Sequence, residues 1–112
     1  MFRVQAMNET RTIRRVVINN EEGLHARPAS LFTKLAGRFQ SDIEVTNGTN
    51  RVDGKSMVHV LTLAAEKGTE LEIEARGPDA DEALDALVEL VESNFTESTE
   101  NSTESKPETT GK

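Results

Sequence analysis

The sequence predicts an α+β domain: an open-faced β-sandwich in which a four-stranded antiparallel sheet carries three helices on one face, in the order β-α-β-β-α-β-α. Three observations carry this prediction. With 112 residues the chain has the size of one ordinary domain. Between its ends the hydrophobic period switches repeatedly between two and 3.6, which marks alternating strands and helices. The segment TELEIEA alternates strictly, so one face of its sheet meets water and the helices gather on the other.

Each element has its own warrant. In TIRRVVIN (12–19) Val16 and Ile18 fall on one face, as in a half-buried strand. A helix over 27–39 follows from Leu31, Phe32, Leu35, Ala36 and Phe39 at helical spacing, with Pro28 in the first turn, where a missing N–H costs nothing. Strands at 42–46 and 50–53 are joined through Asn47-Gly48, a dipeptide that accepts the positive φ of a tight hairpin. Ser56 is placed to cap a second helix over 56–65, with Val60 and Leu61 inward and Met57 and Val58 outward, and Gly68 ends the connection. In the strand 69–75, Leu71, Ile73 and Ala75 point inward. Glu70, Glu72 and Glu74 form the wet row, with Arg15 on the neighbouring strand as a partner. The last helix opens on Asp79 and Glu82 at capping-box spacing, and Ala83, Leu84, Leu87, Val88 and Val91 make its buried stripe.

The domain so defined spans 11–94. It leaves an N-terminal extension at 1–10, in which Met7 is an alternative start, and a Ser/Thr/Glu-rich tail at 95–112 that is expected to be disordered. The tail region contains two N-glycosylation patterns, at Asn94 and Asn101, which are expected by chance in so Ser/Thr-rich a tract. There is no cysteine, no signal-like start and no apolar run long enough to span a bilayer. The expected location is therefore the cytoplasm, without membrane insertion. The net charge is −7 and unevenly spread: residues 1–67 carry +3, 68–94 carry −8 and 95–112 carry −2. With no basic stripe interleaved with aromatics, nucleic acid is excluded as an expected partner. His59 has no His or Cys at ligand spacing and reads as a solvated helix residue, so neither a metal nor another cofactor is expected.

The octad GLHARPAS (23–30) is where chemistry concentrates. Gly23, Leu24 and His25 fall in the loop before the first helix, which places His25 at a helix N-terminus, where backbone N–H groups and the helix dipole attract anions. Arg27 offers a planar fork of donors suited to a phosphoryl group. Gly23 admits a tight turn and Pro28 fixes the helix start. A neutral imidazole is a competent nucleophile toward phosphorus, so nucleophile and anion cradle coincide. The bland reading of His25 is an exposed loop residue beside a helix start. Lys34 and Arg38, spaced i and i+4, either receive acidic partners or form a solvated helix face.

On these residues the chain resembles the HPr family, the histidine-containing phosphocarrier proteins of the bacterial phosphoenolpyruvate-dependent phosphotransferase system. The resemblance covers about residues 11–94 and rests on GLHARPA at 23–29, GKSM at 54–57 and KGTELEIEARG at 67–77 with the acidic start of the last helix. It implies that His25 accepts a phosphoryl group from phosphorylated enzyme I and passes it to a histidine of a sugar-specific IIA component. Arg27 would steady the phosphate, with Gly23, Ala26 and Pro28 shaping the cradle. Lys34, Lys55, Met57 and Val58 are the expected docking residues. Ser56 matches a serine that an HPr kinase/phosphorylase modifies in some members. The implied protein is a monomer and not an enzyme, turning over only with its partner phosphotransferases. Glu22 departs from the family pattern, in which small polar residues are common ahead of the site glycine. Two other readings stand beside the carrier: a mainly regulatory phosphoprotein not coupled to sugar transport, and a non-phosphorylated α+β binding module in which His25 only caps a helix.

Overall fold

The structure, a computed structural model, describes residues 10–96. Seven elements follow in the expected order: β1 (Thr10–Val17), α1 (Ala26–Ala36), β2 (Asp42–Asn47), β3 (Asn50–Asp53), α2 (Met57–Leu61), β4 (Glu70–Gly77) and α3 (Ala80–Glu92). The sheet order is β1-β4-β2-β3, and every neighbouring pair is antiparallel. It follows that β1 and β2 run parallel with β4 between them, and β3 and β4 run parallel with β2 between them. The fold is two interleaved split β-α-β units. This interleaving sets the end of β1 beside the start of β4, with Val17 opposite Glu70. The loops that follow β1 and precede β4 therefore meet at one end of the sheet.

One hydrophobic cluster fills the space between sheet and helices. Val16, Ile43, Val45, Leu71, Ile73 and Ala75 face it from the strands, and Phe32, Val60, Leu84, Leu87 and Val91 from the helices. The alternation in β4 is thus borne out for its apolar residues. On α1 the buried face is turned from the expected stripe. Pro28, Ala29, Phe32, Thr33 and Ala36 are buried, whereas Leu31, Leu35 and Phe39 pack at the margin. Small side chains let the helix approach the core closely, which a count of large apolar residues does not register.

Several elements depart from expectation. β1 starts at Thr10 and ends at Val17, two residues earlier at each end than the expected 12–19, because Ile18 already leaves the strand to exchange bonds with the loop before β4 (Ile18 N–H to Thr69 carbonyl 2.9 Å, Gly68 N–H to Ile18 carbonyl 2.7 Å). The β2–β3 connection is Gly48-Thr49, since Asn47 and Asn50 still pair. Gly48 alone of the two takes positive φ, at +66°, an arrangement of the glycine-led hairpin kind. α2 is five residues long rather than ten. After it the chain turns through Ala64 at φ +50°. This early end shifts the phase of the pattern, so Leu61 is 40% exposed and Leu63 takes the core position. Val58, expected outward, is 70% exposed, while Met57 is half-buried against the core.

Two polar residues also serve differently. Asp79 is the N-cap of α3 but makes no capping bond to its own helix. Its carboxylate accepts from the Ser41 hydroxyl at 2.6 Å, from the Ser41 N–H at 2.9 Å and from the Gln40 N–H at 2.9 Å, tying α3 to the α1–β2 connection. Those bonds, the Ser41 hydroxyl first, hold its carboxyl below the usual range. Glu74 lies on the outer face of the sheet as expected, yet it is only 4% exposed. Arg11 Nε donates to it at 2.5 Å, Arg51 at 2.6 Å and Arg76 at 3.4 Å, and these guanidiniums cover it. Arg15 does pair with the wet row, at 3.9 Å from Glu72.

Phe95, which the sequence places at the head of the tail, is fully buried in the core, reached through Asn94 and Phe95 itself at positive φ. The expectations for 1–9 and 97–112, including Met7 and Asn101, lie outside the described residues. Among the described residues no helix is long and apolar enough to cross a membrane.

Candidate functional site

His25 is the N-cap of α1, with extended backbone (φ −86°, ψ −164°), and its carbonyl accepts the Ala29 N–H at 2.9 Å. The imidazole makes no capping hydrogen bond and is exposed. Anchors sit on both sides of it. Leu24 is buried and its N–H donates to the Ala65 carbonyl at 2.9 Å, and Pro28 and Ala29 are buried as α1 begins. The first turn of a helix directs backbone N–H groups outward beyond its start, and here they belong to Ala26 and Arg27, since Pro28 has none. Ala26 and Arg27 are both exposed, as is His25, so the start of α1 opens to solvent.

Gly23 sets this geometry. Its φ is +70°, and a Cβ there would fall 2.5 Å from the Ala65 carbonyl oxygen and 2.8 Å from Glu66 Cα. Only glycine combines that backbone with that approach. The His25 loop is thus held against residues 65–66, the stretch that follows α2.

Sequence reasoning missed Asn20, which the structure makes the inner brace of the loop. Asn20 is 8% exposed, and its Nδ2 donates to the Gly23 carbonyl at 2.9 Å and to Glu22 Oε1 at 3.2 Å. Its Oδ1 is buried without a partner. An asparagine before a glycine turn gives no hint of burial, so nothing in the sequence separated it from an ordinary loop residue. Glu22 is exposed. Hydrogen bonding from Asn20 holds its carboxyl below the usual range, and the charges of Arg27 and His25 act in the same direction.

The other expected residues form a second region. Ser56 caps α2, its Oγ accepting the His59 N–H at 3.3 Å, and α2 packs against α1. Lys34 is exposed in the last turn of α1. Lys55 is half-buried and already engaged, its Nζ donating to the Phe39 carbonyl at 2.8 Å, which makes it a tether between the ends of α1 and β3. Met57 is likewise half-buried. Val58 and Leu61 leave apolar surface exposed on α2.

With this geometry in hand, comparison with known proteins is decisive. A family model described as "PTS HPr component phosphorylation site" matches residues 13–93. The chain belongs to the HPr family. Phosphocarrier protein HPr of Pseudomonas aeruginosa is 47% identical over 83 residues, 73% of this chain and 92% of that protein. Phosphocarrier protein NPr of Proteus mirabilis is 41% identical over 85 residues, 75% of this chain and 94% of that protein. Among solved structures, an HPr from Thermoanaerobacter tengcongensis superposes with a TM-score of 0.74 at 39% identity, covering 75% of this chain and 94% of that one. HPr-family membership makes the chain a relative of bacterial phosphocarriers of the phosphotransferase system, with the open-faced α+β fold they share.

Proposed function

We propose that His25 accepts a phosphoryl group from phosphorylated enzyme I and hands it to a histidine of a sugar-specific IIA component. One observation carries the reading: an exposed imidazole at the start of α1 makes no capping bond, and Arg27 lies two residues on. In each transfer the N–P bond on the donor histidine breaks as a lone pair of the acceptor imidazole forms the new one. Bond type and leaving group are alike on both sides, so the exchange stays close to balanced. The chain contributes position and electrostatics, the main terms in phosphoryl transfer. Arg27 and the first turn of α1, with Gly23, Ala26 and Pro28 shaping the cradle, hold the transferred charge. Lys34 and the exposed apolar face of α2, with Val58 at its centre, form the docking surface. The chain works as a cytoplasmic monomer and turns over only with its partner phosphotransferases.

Ser56 is the regulatory site in this reading, for an HPr kinase/phosphorylase. Its hydroxyl sits at the cap of α2, and a phosphate there would add roughly −1.5 to −2 charge to the docking surface. Incubation with phosphoenolpyruvate and enzyme I tests the carrier role. The expected result is an acid-labile phosphoryl group on the wild-type chain that His25→Ala lacks. A wild-type chain that takes up no label refutes the carrier role and leaves the binding-module reading.

A further inference from the structure

Glu22 places a carboxylate three residues ahead of His25, and Asn20 holds it by a hydrogen bond. Its Oε1 is held by Asn20 Nδ2 at 3.2 Å, and the same nitrogen donates to the Gly23 carbonyl at 2.9 Å. Asn20 cannot turn its amide over to release this grip. Reversal would set its oxygen against the Gly23 carbonyl oxygen and the Glu22 carboxylate, two acceptors facing an acceptor. The buried, unpartnered Oδ1 is the cost of that orientation. The brace is itself only 8% exposed, and Gly23, at φ +70°, lets the loop between Asn20 and His25 lie close against the Ala65 carbonyl.

We propose that Glu22 sets the phosphoryl-transfer poise of His25, its carboxylate opposing the phosphoryl group so that the phosphorylated chain is a stronger donor. This rests on the carrier reading given above. Before transfer Glu22, its carboxyl held down first by the hydrogen bond from Asn20 and then by the Arg27 charge, partly balances that arginine. After transfer the phosphoryl group brings up to two negative charges to the same place, and Arg27 then serves two anions at once. The phosphorylated state is raised while the free state is not. Loading from enzyme I becomes less favourable and unloading to a IIA histidine more favourable by the same factor, because both share that one state. The chemistry is unchanged: one N–P bond breaks, one forms, and no co-reactant enters.

The test measures the equilibrium fraction of phosphohistidine on the full chain with enzyme I at fixed phosphoenolpyruvate-to-pyruvate ratios, with His25→Ala as blank. Glu22→Gln keeps an acceptor for Asn20 and removes the charge. It is expected to move the equilibrium toward the phosphorylated chain by about fivefold at low salt, and Glu22→Lys further in the same direction. The gain should shrink at about 1 M salt, where the screening length is roughly 3 Å. If wild type and Glu22→Gln are labelled to the same fraction at low salt, the poise role is wrong and the carrier role stands. A shift that salt leaves unchanged and that comes with a lowered melting temperature makes Glu22 a structural residue and also overturns the proposal. If wild type takes no label, the carrier reading fails and this proposal falls with it.

Discussion

Gly23 is constrained twice, by a φ of +70° and by the 2.5 Å that would separate an added Cβ from the Ala65 carbonyl oxygen. The close neighbours are backbone atoms, which cannot swing aside as a flexible side chain would. Gly23→Ala is expected to cost about 2–3 kcal/mol in urea denaturation. It should also slow phosphoryl uptake, because the loop must move off residues 65–66 and carry His25 with it. A variant as stable as wild type would show that the loop relaxes freely. Ala64, one residue before that contact, is at φ +50°, so the segment that receives the loop also carries a left-handed backbone. The placement of His25 at the start of α1 is legible in the sequence because it depends on one octad. That of Asn20 is not, because its burial depends on where the β1–α1 loop comes to rest.

At the scale of elements, α2 shows how a short helix can be recognised by its cap and misjudged in its length. Ser56 was found because a capping hydroxyl acts on the residues just after it, and its bond to the His59 N–H is in place. The helix stops at Leu61 because the chain must turn back at Ala64 and Ala65 to meet Leu24, a demand made by another loop. Aspartate caps helices about as well as serine. Ser56→Asp is therefore expected to leave the melting temperature nearly unchanged while slowing label transfer from enzyme I, by about tenfold if the partner's docking face is acidic. Initial rates of labelling check this. An unaltered rate would remove Ser56 from the docking surface. Asp79 makes the same point from the other side. Its spacing to Glu82 suggested a capping box, but Ser41 and Gln40 claimed the carboxylate.

Across the whole molecule, Glu74 fastens three strands of the outer sheet face, taking Arg11 from β1 and Arg51 from β3 while sitting on β4. Hydrogen bonding from Arg11, and then the charges of Arg11 and Arg51, hold its carboxyl below its ordinary 4.5. A carboxyl whose folded pKa is depressed adds stability that is fully present above the unfolded value and is lost as pH falls through the folded one. The wild-type melting temperature is therefore expected to hold steady down to about pH 4.5 and to decline below it. Glu74→Gln should be about 1–2 kcal/mol less stable at neutral pH, with a flatter profile in acid. Parallel acid profiles for the two proteins would show that Glu74 is not what titrates.

Short-range interactions set the order of elements, the inward row of β4, the cap at Ser56 and the place of His25 in its octad. Periodicity and capping act within a few residues, so they can be read without knowing the fold. Tertiary structure decided the rest. It turned α1 so that Ala29 and Thr33 face the core, buried Glu74 beneath arginines from other strands, and drew Phe95 out of the expected tail into the core. It also set Asn20 under the loop, where its amide holds the Glu22 carboxylate. Each of these depends on residues from 23 to 63 positions apart or on the path of a loop, and burial at such range is settled only when the layers close on one another.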